Sequence, residues 1–274
     1  MAEQQSMSVV LDAAVPCPTI GDLPDALLGR VLALAGGESW LSMVLTSRRW
    51  HRVLLEEAPI AWRWDLVPSK APAADFEAAI ASRVSLLQRI GKRIQHARMH
   101  NLQPATDWLQ RSGWQPAGLL ALLNPAAMRS VDLCWNPSLP VPAVQLVGSF
   151  SQLTSLSLSC ADELPAASAL GQLRQLASFD AAERRISAEL VEAVCSLSGL
   201  TSLSLSAVEM LDSQAEALLP GLTALGRLRV LNLKEQGRAA GTLQPPPPAL
   251  FSNLEEFEYF SLNADGDGSF QVRI

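Results

Sequence analysis

The chain has 274 residues, 49% of them apolar and 18% charged, so it can bury a sizeable core and is not a disordered polypeptide. A net charge of −6 and an isoelectric point near 5.2 exclude a nucleic-acid binder that works mainly through phosphate contacts. Aromatic residues are only 5% of the chain, which suits a stack of thin aliphatic layers better than a sandwich.

The acidic excess is uneven. Residues 1–100 hold 11 Lys and Arg against 10 Asp and Glu, whereas residues 101–274 hold 10 against 17. The four cysteines, Cys17, Cys134, Cys160 and Cys195, form no C-x-x-C pair, so a structural zinc site is not expected. The opening MAEQQSMSVVLDAAV lacks a basic region, and Asp12 breaks its apolar run, which predicts no secretory signal. Nor does any charge-free apolar stretch of about 18 residues predict a membrane span. These features predict free thiols and a cytoplasmic or nuclear setting, with residues 1–19 disordered.

Residues 23–66 predict a compact helical segment. Pro24 sits where a helix starts without losing a hydrogen bond, and Leu27, Leu28, Val31, Leu32 and Ala35 recur at helical spacing. Gly36 and Gly37 end that helix. Ser39 can cap a second one, whose apolar face is Trp40, Leu41, Val44, Leu45, Trp50, Val53 and Leu54, and Pro59 closes it ahead of Ala61-Trp62-Arg63-Trp64. A segment this short is marginal without a neighbour and has more apolar surface than it can hide. Its greasy side either docks a partner or packs on the chain's own first repeat. In the next stretch, 67–93, Phe76, Ile80, Val84, Leu87 and Ile90 fall at steps of three or four, predicting one amphipathic helix that couples two modules.

From residue 94 the chain repeats itself. The heptapeptide LTSLSLS occurs at Leu153–Ser159 and again at Leu200–Ser206. The wider template L-x-x-L-x-L fits Met128–Val131–Leu133, Leu153–Leu156–Leu158, Leu176–Phe179–Ala181, Leu200–Leu203–Leu205, Leu228–Leu231–Leu233 and Leu254–Phe257–Tyr259, in steps of 25, 23, 24, 28 and 26 residues. A weaker match, Ile94–Ala97–Met99, lies 34 residues before Met128. Positions four and six alternate as in a short strand and face the core, and the residues between them face out. The rest of each unit returns along the other side. SAELVEAVCSLSGL (187–200) opens on Ser187 and places Leu190, Val191, Val194 and Leu197 on one helical face; SQAEALLPGLTAL (213–225) opens with a capping box, Ser213 and Glu216. No unit can bury its apolar face alone, so stacking supplies the core.

The spacing and the leucine pattern resemble the leucine-rich repeat family over roughly residues 94–262. The resemblance implies an α/β solenoid with short parallel strands on a concave face and helices on the convex face. The chain departs from the family at position nine, where many repeats carry Asn or Cys. Asn136 satisfies it, but Ala161, Arg184, Val208, Gln236 and Leu262 do not. Residues 20–66 in turn look like an F-box: a leading Leu23-Pro24, aliphatic pairs at Leu27-Leu28 and Val31-Leu32, a second helix ending in Leu45-Thr46-Ser47-Arg48-Arg49-Trp50, and a late Trp62. The Gly36-Gly37-Glu38-Ser39 connection departs from the more apolar one that many F-boxes carry. What the resemblance implies is a partner: a Skp-type adaptor, and through it a cullin, docked on Leu23, Pro24, Leu27, Leu28, Val31, Leu45 and Trp50.

The tail NADGDGSFQVRI (263–274) places Asn263, Asp265, Asp267 and Gly268 as in the first half of an EF-hand calcium loop, but position twelve is Ile274 where a bidentate Glu is needed. Alternation in FEYFSL and SFQVRI instead predicts a hairpin around an Asp-Gly-rich turn, capping the last repeat. The run Pro245–Pro248 reads as a stiff spacer or a polyproline ligand.

No catalytic constellation is visible. The three histidines are His51, His96 and His100; the last two are four apart, but on and after a strand they do not converge, so no metal site is expected. There is no Gly-rich phosphate loop, and the cysteines read as fillers of small core sites or turns. No cofactor, no nucleic acid and no membrane are expected.

The outward strand positions run from basic to acidic. They comprise Gln95, His96 and Arg98; Arg129, Asp132 and Trp135; Thr154, Ser155 and Ser157; Ser178 and Asp180; Thr201, Ser202 and Ser204; Arg229, Asn232 and Lys234; and Glu255, Glu256 and Glu258. A hydroxyl floor between charged ends suits recognition of a peptide or protein. Together the two resemblances imply a non-catalytic substrate-recognition subunit of a Skp–cullin–F-box ubiquitin ligase that holds a target near the transferring enzyme. The alternative is a repeat scaffold without a ubiquitin role, whose N-terminal helices only cap the array.

Overall fold

The computed structural model describes residues 23–25, 27–28, 49, 52–53, 60–65, 73–100, 115–134, 136, 139–160, 163–209, 218, 220–236, 252–262 and 269–273. The chain forms two compact units, Met1–Ala58 and Pro59–Ile274.

The first unit starts a helix where Pro24 predicts one. The Pro24 carbonyl accepts from the amides of Leu27 and Leu28 at 3.0 and 2.9 Å. Asp25 in that turn receives Arg49 Nη2 and Nε at 2.6 and 2.8 Å, and Arg52 Nη2 at 2.9 Å. Arg49 Nη2 also donates to the Leu23 carbonyl at 2.6 Å. Two segments some 24 residues apart are thus fastened through one carboxylate. The strongest influence on that carboxyl is the hydrogen bond from Arg49, and it sits below the usual aspartate value. Leu28 and Val53 are fully buried.

Among the described residues the second unit is built on one sheet of nine strands: β1 (Ile60–Asp65), β2 (Ile94–His100), β3 (Ser130–Leu133), β4 (Ser155–Cys160), β5 (Ser178–Arg185), β6 (Ser202–Glu209), β7 (Val230–Gln236), β8 (Glu256–Leu262) and β9 (Ser269–Arg273). Their order in the sheet is their order in the chain. β1 to β8 all pair in parallel, and only β9 runs antiparallel to its neighbour. Parallel neighbours require a crossover between every pair of strands. One strand and one return segment per unit, added without reordering, is the architecture of a leucine-rich-repeat solenoid, an α/β fold.

The register shows why the leucines are spaced as they are. Position four of the template forms a continuous row through Ala97, Val131, Leu156, Phe179, Leu203, Leu231 and Phe257, each the direct neighbour of the next. All seven are at most 3% exposed. Position six follows with Met99, Leu133, Leu158, Ala181, Leu205 and Leu233, all at most 2% exposed. Burying a leucine of this kind contributes about 1.5–3 kcal/mol, so these two rows are the main cohesive force between units.

A second, polar device recurs at the head of the strands. The Arg129 carbonyl accepts from the amides of Thr154 and Ser155, Thr154 from Ala177 and Ser178, Ala177 from Thr201 and Ser202, Thr201 from Arg229 and Val230, and Arg229 from Glu255 and Glu256, at 2.8–3.1 Å. Thr154 and Thr201 reinforce the pattern: their hydroxyls donate to the Arg129 and Ala177 carbonyls at 2.9 and 3.0 Å. Their place in the repeated heptapeptide is therefore structural, and only the serines remain for the open face.

Two expectations shift. Residues 60–65, read from the sequence as closing the helical segment, are a strand that pairs in parallel with β2, the earliest rung of the sheet. Their aromatic and β-branched residues favour extended backbone. The amphipathic helix then becomes the crossover between β1 and β2. It is α1 (Ala73–Ile90), with Ile80, Val84, Leu87 and Ile90 all buried, and it runs into a 3₁₀ turn at Gly91–Arg93.

Among the described residues the later return segments contain α2 (Pro116–Leu120), α3 (Val141–Gly148), a 3₁₀ turn at Ala167–Gln172, and α4 (Ala188–Cys195). α4 forms as its sequence predicts. Ser187 Oγ accepts from the Leu190 amide at 3.0 Å as N-cap, and Leu190, Val191, Val194 and Leu197 are buried. Between β4 and β5 the return is a 3₁₀ turn instead of a helix. It is preceded by Pro165 and begins after Ala166, which holds a left-handed backbone at φ 53°. α3 packs beside this turn so closely that a Cβ on Gly148 would lie 2.6 Å from the Ala169 carbonyl oxygen. The capping box of Ser213 and Glu216, the proline run and the Asp-Gly turn lie outside the described residues. The strands flanking that last turn pair as a hairpin, Glu258 opposite Arg273 through Leu262 opposite Ser269.

Candidate functional site on the open face of the sheet

Alternation leaves one side of β2–β8 lined by polar residues. The most informative row is Arg98, Asp132, Ser157, Asp180, Ser204, Asn232 and Glu258, direct neighbours across seven strands. At about 4.8 Å per strand it spans roughly 29 Å. A parallel row runs His96, Ser130, Ser155, Ser178, Ser202, Val230 and Glu256. Arg98, Asp180 and Lys234 are exposed, whereas Asp132, Ser155, Ser157, Ser202, Ser204, Asn232 and Glu256 are part-buried. The row thus begins on a basic residue and ends on an acidic one, with Asp132, Asp180 and hydroxyls between them.

The row is most structured at its first end. Asp132 accepts from Arg98 Nε at 2.7 Å through Oδ2, and from His100 Nε2 at 2.8 Å and the Cys134 amide at 3.0 Å through Oδ1. Cys134 Sγ and Ser157 Oγ are 3.0 Å apart, and Ser157 donates to Asp180 Oδ2 at 3.1 Å. Burial opposes the ionisation of Asp132, but the hydrogen bonds from Arg98, Cys134 and His100 outweigh it and hold the carboxyl below its ordinary value. Burial pushes the Cys134 thiol up to about 11, with the neighbouring Asp132 and Asp180 charges adding to the shift. His100 Nε2 faces Asp132, not the sulfur. The trio therefore lacks the base-to-thiol geometry of a nucleophilic cysteine.

The sequence places His96 and His100 on and after a strand, where they do not converge; in the structure both belong to β2. The register brings His100 instead to Asp132 and Cys134 of the next unit. Neither partner is near His100 in sequence, so only the 34-residue step between β2 and β3 could have revealed the trio.

Arg129 and Arg229 sit at corresponding positions just before β3 and β7, and both are exposed. Each reaches toward the next unit: Arg129 Nη1 donates to Gln152 Oε1 at 3.1 Å, and Arg229 Nη1 to the Asn253 carbonyl at 2.8 Å. Glu255 adds a weaker ionic contact to Arg229 at 3.7 Å. Trp135 lies outside the described residues. Asn136, the single residue matching position nine, is 2% exposed and donates Nδ2 to Met99 O at 2.8 Å and Leu133 O at 2.7 Å. It is one rung of an asparagine ladder that the other units do not continue.

One charged residue escaped the sequence reading. Glu183 in β5 is only 4% exposed; its Oε2 accepts from the Leu164 amide at 3.4 Å, and its Oε1 has no hydrogen-bond partner among the described residues. Burial raises its carboxyl to about 7, helped by the nearby Glu163 charge.

In the first unit, Leu27 is 48% exposed and Pro24 is exposed, Leu23 is part-buried, and Leu28 is in the interior. Val31, Leu45 and Trp50 lie outside the described residues. Among the described residues Cys134, Cys160 and Cys195 form no disulfide. Among the described residues no helix is long and apolar enough to cross a membrane.

No protein-family model and no curated protein matches the chain. Solved structures that resemble it include a leucine-rich-repeat protein of Leptospira interrogans (16% identity, TM-score 0.36, 60% of this chain against 42% of that one). Two internalins of Listeria monocytogenes are also similar. Internalin C2 shows 16% identity, a TM-score of 0.35, and coverage of 62% of this chain and 72% of that one. Internalin F shows 13% identity, a TM-score of 0.35, and coverage of 62% and 48%. The chain thus spans less than half the length of two of these proteins.

Proposed function

We propose that the chain is a non-catalytic recognition subunit of a Skp–cullin–F-box ubiquitin ligase, with its N-terminal unit docking a Skp-type adaptor and the open face of its sheet holding a target protein. The F-box resemblance of residues 20–66 motivates the adaptor role, and the exposure of Leu27 is the observation that supports it. A large aliphatic side chain left 48% exposed beside a fully buried Leu28 suits a handle for another subunit. The face of the sheet supports the second half. Its part-buried serines and staggered charges offer hydrogen-bonding groups over a length that fits an extended peptide or a protein edge.

In this reading Leu23, Pro24, Leu27, Val31, Leu45 and Trp50 contact the adaptor, while Leu28, carried over with them from the resemblance, is fully buried and belongs to the interior of the unit. Arg98, Asp132, Ser157, Asp180, Ser204, Asn232 and Lys234 are the core of the target face, flanked by Arg129, Trp135, Ser155, Ser202, Arg229 and Glu256. The mechanism is proximity: holding a target beside the transferring enzyme raises its effective concentration.

The test is co-purification of the full chain with a Skp-type adaptor. Wild type is expected to retain the adaptor, and the Leu27→Asp, Trp50→Ala double variant to lose it while keeping its circular dichroism. If well-folded wild type retains no adaptor, the ubiquitin role falls and the repeat array stands as an interaction scaffold.

A further inference from the structure

The geometry points to a divalent-metal site of zinc type on the face of the sheet, formed by His100 Nε2, an Asp132 carboxylate oxygen and Cys134 Sγ. One ring nitrogen of His100, one Asp132 carboxylate oxygen and Cys134 Sγ all lie within 4.8 Å of one another, and Nε2 is the ring nitrogen that lies 2.8 Å from Asp132 Oδ1. A tetrahedral zinc bound through sulfur at about 2.3 Å and through nitrogen and oxygen at about 2.0–2.1 Å sets its ligand atoms roughly 3.3–3.6 Å apart. Forming the site therefore requires the three side chains to draw together from their observed positions.

The donor set decides the metal class. One imidazole nitrogen, one carboxylate oxygen and one sulfur match zinc and its borderline neighbours, and are too soft for calcium or magnesium. The surrounding groups are those a metal ligand needs to hold its orientation. Arg98 grips Asp132 Oδ2 at 2.7 Å, and the Cys134 amide holds Oδ1 at 3.0 Å. Ser157 Oγ lies 3.0 Å from the sulfur. His100 is 13% and Asp132 21% exposed at the side chain, so an ion can reach them from solvent.

Binding has a defined proton balance. The hydrogen that His100 Nε2 now donates to Asp132 moves to the other ring nitrogen, freeing the Nε2 lone pair for the metal. The Cys134 thiol gives up its proton to solvent as the metal–sulfur bond forms, since a coordinating thiol is deprotonated outright. Three protein ligands leave a fourth position for water or for an incoming donor atom.

Cobalt(II) is the probe. The full chain, purified without metal, is titrated with cobalt chloride and followed by absorption, with circular dichroism as the control for folding. Wild type is expected to take up one equivalent, giving a sulfur-to-cobalt charge-transfer band and the intense visible bands of a tetrahedral ion, both bleached by added zinc. Cys134→Ser is expected to abolish the charge-transfer band. His100→Ala and Asp132→Asn should weaken uptake at least about tenfold. Cys17→Ser, Cys160→Ser and Cys195→Ser should leave it unchanged. A folded wild type that gives no charge-transfer band at micromolar cobalt, or a band that survives in folded Cys134→Ser, overturns the site. Ser for Cys is nearly isosteric at a part-buried position, so that arm stays decisive even if Asp132→Asn fails to fold.

Discussion

The Thr201 hydroxyl donates to the carbonyl of Ala177, one unit upstream, at 3.0 Å, and Thr154 does the same to Arg129 at 2.9 Å. Both threonines occupy the second position of LTSLSLS. The repeated heptapeptide therefore fastens neighbouring units as well as filling the core.

Removing that hydroxyl without changing shape should loosen one joint. Thr201→Val is expected to lower stability by about 1 kcal/mol in urea unfolding, the usual net worth of such a bond, and Thr201→Ser to recover most of it. A loss in Thr201→Ser with none in Thr201→Val would assign the effect to the methyl group instead.

Leu200 and Leu254 hold the same template position in different units, but Leu200 is fully buried and Leu254 only part-buried. Leu200→Ala opens a cavity between two flanking units and should cost about 2–5 kcal/mol. Leu254→Ala, at an end of the array, should cost clearly less. Nearest-neighbour stacking predicts this difference; a uniform core would make the two equal.

The leucine rows were legible because their period is carried by the residues themselves. Met128, Leu153, Leu176, Leu200 and Leu228 appear in the chain at the steps with which the units stack, and all are at most 1% exposed. Ser187 was readable as a cap for the same reason: an N-cap is a local interaction. What stayed hidden depends on register between units. The joining of His100 to Asp132, the burial of Glu183 and the pairing of Ile60–Asp65 with β2 link residues far apart in sequence by contacts no local pattern records. β1 was missed for a further reason. It carries Trp62 and Trp64 where the template has leucines, its register with β2 shifts between Ile60 and Ala61, and a whole 18-residue helix lies between the two strands.

Ala166 offers a direct test of the return turn between β4 and β5. Its φ of 53° and ψ of 37° place a residue with a Cβ in the left-handed region, at a cost of about 1–2 kcal/mol. Ala166→Gly removes that cost and adds back some unfolded-state entropy. A net gain of about 0.5–1 kcal/mol is expected, measured as a higher denaturant midpoint with an unchanged slope. A loss of stability would contradict the left-handed turn.

Glu183 makes the fold sensitive to pH in a defined direction. Burial lifts its carboxyl from 4.5 to about 7 in the folded chain, while the unfolded chain titrates at the ordinary value. Below pH 4.5 both states hold the proton and the group makes no difference. Between 4.5 and about 7 the unfolded state releases the proton and the folded state keeps it, so stability falls as pH rises. Above 7 the loss levels off at about 3 kcal/mol, at 1.36 kcal/mol per unit. Glu183→Gln keeps an acceptor for the Leu164 amide and cannot ionise. The variant's advantage over wild type in urea unfolding is therefore expected to grow by about 2 kcal/mol or more from pH 5 to pH 8. A constant difference across that range would mean the Glu183 carboxylate is paired when the chain is folded, and the buried acid would then be a structural anchor with no hold on pH.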